Sequence, residues 1–81
     1  MKTNKNYRIL RLYVWLDEGK CINPVQVAQE FQVTMRTIQR DIADIKAFLA
    51  EERVESGRDR RLIYDRQEEG YRIQPTPAAI H

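Results

Sequence analysis

Along the first half of the chain, apolar side chains recur at the helical period. Ile9, Leu12, Tyr13 and Leu16 project within about 100° of one another, which predicts a first helix over residues 6 to 18, closed by Gly19. Asn23, Pro24 and Gln26 then make a start signal: an N-cap, a proline at the first helical position and a capping-box partner three residues on, with Ile22 stapled to Val27. A second helix is expected from about Pro24 to Phe31. The same grammar recurs where Thr34 takes the N-cap, with Val33 before it and Ile38 at the fourth helical position. It opens a third helix, Met35 to about Leu49, whose Ile38, Ile42, Ile45 and Leu49 keep to a stripe about 60° wide.

Beyond that stripe charge dominates, and residues 51 to 61, gathered around Ser56 and Gly57, predict a loop. The period then changes to two. Leu62 and Tyr64 on one run and Tyr71 and Ile73 on another flank a turn through Arg66 to Gly70, the pattern of a β-hairpin. Residues 1 to 74 therefore read as one domain, and 75 to 81 as a stiff Pro-containing tail or the start of a linker to a missing domain.

With 81 residues, the chain buries only roughly 60 to 65% of the surface it exposes unfolded, so its core is thin. No covalent or metal staple is expected, because Cys21 is the only cysteine and His81 the only histidine. Cys21 reads as a small, partly buried apolar residue in a reducing compartment. Arg11 interrupts the N-terminal apolar run and Asp17 and Glu18 close it, so no signal peptide is expected there. Leu12 to Leu16 is far short of the roughly 20 residues of a membrane span, so a cytoplasmic protein without membrane contact is expected.

Two short helices joined by a turn of about three residues must cross at a large angle, and the residues suit that crossing. Ala28 is small where the helices meet, Phe31 and Val33 bracket the turn, and Ile38 fills the space between them. Gln32 stands at the turn position that glycine most often takes, which costs on the order of 1 kcal/mol if its φ is positive. The expected fold class is mainly α with a small β-hairpin: a winged helix-turn-helix of three helices plus wing.

Opposite the apolar stripe of the third helix lie Arg36, Arg40, Ala43 and Ala47, with Gln39 on one shoulder and Thr37 and Asp44 on the other. Arginine can bridge guanine O6 and N7, glutamine can bridge adenine N6 and N7, and small alanines admit the backbone to a major groove. Thr34 and Thr37, with the N–H groups of the helix start, can hold phosphate, and Met35 sits among them. Candidate contacts to double-stranded DNA are therefore Thr34, Met35, Arg36, Thr37, Gln39 and Arg40. The bland reading is a solvated helix face; the capped helix and tight turn before it favour the nucleic-acid reading. Asp41 lies nearer the core side and is expected to hold an Arg or Lys by an ion pair.

The run from Val33 to Ile42, VTMRTIQRDI, resembles the V-S-x-R-T-I-x-R-D-I signature of DeoR-type winged-helix regulators, including the N-terminal domains of WYL-domain transcription factors. IYDR at 63 to 66 and GYRI at 70 to 73 resemble the wing of those proteins, and the segment from Arg8 to Gly19 their first helix. The resemblance covers most of residues 7 to 74. It implies a bacterial-type, sequence-specific regulator, often dimeric, with Arg36, Thr37 and Arg40 facing DNA. Such proteins usually continue into an effector-sensing domain, so no effector or cofactor is assigned to this chain.

Net charge is only +2, with residues 1 to 20 holding five cations against two anions and residues 51 to 81 six against seven. Any basic footprint must come from placement. The wing tip, Gln67, Glu68 and Glu69, would repel phosphates, so it is expected to point away from DNA while Arg66, Arg72 or the loop arginines Arg58, Arg60 and Arg61 meet the backbone. The opposing reading pairs these arginines with Glu55, Asp59 and Asp65. On the first helix Tyr7, Leu10 and Val14 form a second apolar stripe, with Trp15 on yet another side. Either a homodimer or a missing domain covers them, or the wing and the 51 to 61 loop do.

An enzyme is disfavoured: Ser56 is the only serine, no histidine precedes position 81, and no Gly-rich phosphate loop is present. Transcriptional regulation is expected, with repression by occlusion as its sign. The competing class is a protein-interaction module that leaves the third helix exposed.

Overall fold

The computed structural model describes residues 4–75, so all of the tail expected over 75–81 except Pro75 lies outside them. Three helices, α1 (Lys5–Asp17), α2 (Pro24–Phe31) and α3 (Met35–Ser56), precede an antiparallel hairpin of β1 (Arg60–Asp65) and β2 (Gly70–Pro75). Among the described residues no helix is long and apolar enough to cross a membrane.

Each helix starts where a side chain can cap it. The Asn4 carboxamide oxygen accepts from the Tyr7 N–H at 2.8 Å, so α1 begins slightly earlier than its apolar pattern suggests. Asn23 accepts from the N–H groups of Val25 and Gln26 at 2.9 and 3.1 Å, and Thr34 Oγ1 from that of Thr37 at 3.2 Å. The ends are also built. After α1, the Lys20 N–H reaches the Trp15 carbonyl and the Gly19 N–H that of Leu16, with Gly19 at φ 89°. Gln32 closes α2 at φ 58°, in the left-handed region that its position in the turn foreshadows, and the Val33 N–H returns to the Ala28 carbonyl.

Helix α3 outruns its expected end near Leu49 by two turns, and the expected 51 to 61 loop contracts to Gly57–Asp59. Alanine, glutamate and arginine between Ala50 and Arg53 are strong helix formers, and Glu52 is held from outside the helix by Arg58 and Arg60. Gly57, at φ 77°, provides the stop, its N–H bonded to the Arg53 carbonyl.

The core lies where the three helices and the hairpin converge. Leu12 and Leu16 of α1, Val27, Ala28 and Phe31 of α2, and Ile38, Ile42, Ile45 and Leu49 of α3 are buried together with Ile22 and Ile73. Trp15 stacks on Phe31 at 6.0 Å between ring centroids, and Tyr13 meets Phe48 edge-on at 5.6 Å. Tyr7, Leu10 and Val14 stay exposed, so neither the hairpin nor the loop covers the second stripe of α1.

The hairpin pairs Leu62 with Ile73 and Tyr64 with Tyr71, and Pro75, taken from sequence as the first residue of the tail, pairs with Arg60. Ile22, just before α2, joins the hairpin's other edge, exchanging both backbone hydrogen bonds with Tyr71 at 2.7 and 2.8 Å. Gly70 makes this approach sterically feasible: a Cβ there would stand 2.5 Å from the Ile22 carbonyl oxygen and 2.7 Å from Cys21 Sγ. Burial, reinforced by the Glu68 and Asp65 carboxylates, pushes the Cys21 thiol up, away from the reactive thiolate.

Candidate nucleic-acid interface

The turn Gln32 to Thr34 aims α3 away from α2, and the capped first turn fixes which residues stand at its tip. Thr34, Met35, Arg36, Gln39 and Arg40 are exposed and Thr37 is half-buried, its hydroxyl 3.1 Å from that of Thr34. Ala43 and Ala47 continue the outward face. The six residues drawn from sequence at the start of α3 are thus brought together on one accessible surface.

The rotation of α3 about its axis is set from behind. Asp41 is 1% exposed and receives a fork from Arg8 of α1, Nε to Oδ2 at 2.5 Å and Nη2 to Oδ1 at 3.3 Å. Both charges are buried, and the two-point contact fixes orientation as well as distance. Further along, Tyr13 lies on Phe48, while Asp17 and Glu52 share Arg60, so the helices remain in register along their contact. Asp41 therefore holds an arginine, as expected, and Arg8 is its partner.

Pairing sorts the arginines. Arg8, Arg53, Arg58, Arg60, Arg61 and Arg72 each lie within ion-pair distance of a carboxylate. Arg36, Gln39, Arg40 and Arg66 make no hydrogen bond or ion pair among the described residues. Of the described cations without a carboxylate partner, Arg36 and Arg40 stand at the start of α3 and Arg66 at the hairpin turn, while Arg11 lies on α1 and Lys46 further along α3.

One expected backbone contact, Arg60, is displaced by the structure. Arg60 is a correction: it is buried, donating to Asp17 at 2.6 Å, to Glu52 at 2.8 Å and to the Tyr13 hydroxyl at 2.5 Å, with its guanidinium over the Tyr13 ring. Burial opposes its charge, but the Glu52 carboxylate and Tyr13 hydroxyl outweigh that and hold the guanidinium above its ordinary value. Arg60 is a clamp joining α1, α3 and β1. Arg58 and Arg61 are exposed, yet they pair with Glu52 at 3.7 Å and Asp59 at 3.2 Å. Glu52 lies seventeen residues beyond Met35, about 25 Å along the helix, so this group is remote from the start of α3.

Arg66 behaves differently. It lines a shallow concavity with Asn23, Pro24, Val25, Met35, Tyr64 and Glu69, which places the hairpin turn beside the starts of α2 and α3. Glu69, part of the acidic tip expected to point away from DNA, lines the same concavity. The turn is tied by Asp65, whose Oδ1 accepts from the N–H groups of Gln67 and Glu68 and whose Oδ2 accepts from Arg72 Nε at 3.1 Å. The Glu68 N–H above all, then Arg72, holds the Asp65 carboxyl below its usual range.

Val25 and Tyr64, each about half exposed beside Met35, escaped the sequence reading. Tyr64 alternates with Leu62 and so reads as a core-facing residue; Tyr71, edge-on at 5.1 Å, is its packing partner instead. The chain matches no protein-family model, no curated protein and no solved structure.

Proposed function

We propose that this protein is a winged helix-turn-helix that binds double-stranded DNA in a sequence-specific way and regulates transcription, as a repressor acting by occlusion. In this reading α3 enters the major groove, with Arg36 and Arg40 on guanines, Gln39 on adenine and Met35 toward a thymine methyl. Thr34, Thr37 and the first-turn N–H groups meet phosphate, and Arg66 reaches the flanking backbone from the hairpin, which acts as the wing.

One observation carries the reading. The partnerless Arg36, Gln39 and Arg40 share the exposed tip of a helix whose rotation is locked by a buried ion pair, while most other arginines are committed to carboxylates. A merely solvated face needs no such locking.

The test is selection from a random duplex pool, followed by titration of the selected and a scrambled duplex at several salt concentrations. Specific binding appears as a gap between the two duplexes that persists as both affinities fall with salt. Equal affinity for both overturns sequence specificity, and no salt-dependent affinity for either overturns DNA binding. That last result would favour a protein-interaction module, the reading that the exposed Tyr7, Leu10 and Val14 support.

A further inference from the structure

Midway along α3, residues 46, 49, 50 and 53 fall on one face of the helix, and β1 packs beside them. A cavity of about 250 Å³ opens between the two elements. Buried Leu49 and half-buried Leu62 contribute to its apolar lining, Lys46, Arg53, Arg60 and Arg61 line it as well, and none of its lining residues is acidic. Glu51 and Glu55 stand roughly 140° and 180° around α3 from Lys46, on the far side of the helix. The cavity is separate from the candidate nucleic-acid interface, since Lys46 lies eleven residues, about 16 Å, beyond Met35.

The cations around it are under-matched. A single oxygen of Asp59, Oδ1, takes both Arg53, at 3.7 Å, and Arg61, at 3.2 Å, so one atom serves two guanidiniums. Lys46 makes no hydrogen bond or ion pair among the described residues. Arg60 is matched at its terminal nitrogens by Asp17, Glu52 and the Tyr13 hydroxyl, yet its Nε is buried without a hydrogen-bond partner, the one such side-chain nitrogen or oxygen among the described residues. A buried donor calls for an acceptor, and the cavity is space beside this residue able to hold one.

We infer that this cavity binds a small organic anion, a monocarboxylate with a compact apolar body. The carboxylate sits among Lys46, Arg53 and Arg61, where a guanidinium fork meets its two oxygens, and the body rests on Leu49 and Leu62. Volume limits the size of the ligand: the cavity falls just below the range of about 300 to 1,000 Å³ that drug-sized molecules occupy, which leaves room for one ring or a branched chain. Helix polarity limits its charge, because the cavity lies along the C-terminal half of α3, where the negative end of the dipole disfavours a phosphate dianion. The inference does not rest on the DNA-binding reading.

Titration of the isotope-labelled whole chain with benzoate, followed through its amide NMR shifts at constant ionic strength, tests it. Saturable shifts centred on residues 46 to 53 and 60 to 63 are expected, with a dissociation constant of about 1 to 10 mM, the range that a ligand of so few heavy atoms supports. Lys46→Gln and Arg61→Gln should each raise that constant about threefold or more and leave the helical circular dichroism intact, since both side chains are exposed. Arg11→Gln should not change it. Benzyl alcohol and inorganic phosphate should each bind about tenfold more weakly or worse. No saturation by about 50 mM, a constant indifferent to both substitutions, shifts spread equally to Arg11 and Arg66, or equal binding of benzyl alcohol each overturns the proposal. Phosphate that binds as tightly as benzoate overturns the monocarboxylate class.

Discussion

Arg8 grips Asp41 across 33 residues of sequence, with Nε and Nη2 on opposite oxygens of one buried carboxylate. The contact joins the first helix to the one that carries the candidate interface. It lies next in sequence to Arg40, so the side chain that is held and the side chain that is offered are adjacent.

Removing one partner leaves the other charge buried and unmatched. Arg8→Met or Asp41→Leu alone is expected to cost about 3 to 5 kcal/mol, enough to unfold much of a domain this small, whereas the double apolar variant should recover most of the loss. Urea denaturation of the three variants checks this. Additive losses in the double variant would contradict a specific pair.

Gly70 is constrained by proximity rather than by backbone conformation. Gly70→Ala pushes a methyl into the Ile22 carbonyl oxygen and Cys21 Sγ, and about 1 to 3 kcal/mol of destabilisation is expected. Hydrogen exchange should locate it at the Ile22 and Tyr71 amides, which donate to each other's carbonyls.

Gln32 holds φ 58° without glycine's freedom. Gln32→Gly should raise stability by about 0.5 to 1 kcal/mol, seen as a higher urea midpoint with an unchanged slope. An unchanged or lower midpoint would mean that the turn is not strained there.

Asp65 gives the hairpin turn its acid sensitivity. Its carboxyl is held below the unfolded value by the Glu68 N–H and then Arg72, so its stabilisation is complete above the unfolded pKa of about 3.9 and is lost as pH falls through the lower folded value. Stability measured from about pH 6 down to pH 2 should show wild type more stable than Asp65→Asn at the upper end, with the two curves converging at the lower. Parallel curves would contradict the capping role.

The helix starts were legible because the signal is local: Asn23 and Thr34 cap amides two or three residues away. Asp41 was legible as an ion-pair residue from its place near the apolar stripe, but its partner lies on another helix. Arg60 was misread for the same reason, since Asp17 and Tyr13 are more than 40 residues distant and nothing in a charge-rich segment marks one arginine for burial. The last two turns of α3 were hidden by that charge density, although their residues are good helix formers. The Ile22 to Tyr71 bridge is backbone pairing, and Gly70 was its one trace in the sequence.

The central claim is that α3 reads base sequence through Arg36 and Arg40, and base-preference profiles at fixed salt test it most directly. Wild type, Arg36→Ala, Arg40→Ala and Arg61→Ala would each be profiled against a randomised duplex pool. The account predicts that each α3 variant loses discrimination at a definable base, by about 1 to 3 kcal/mol, while Arg61→Ala keeps the wild-type profile. Wild-type profiles in both α3 variants would contradict it.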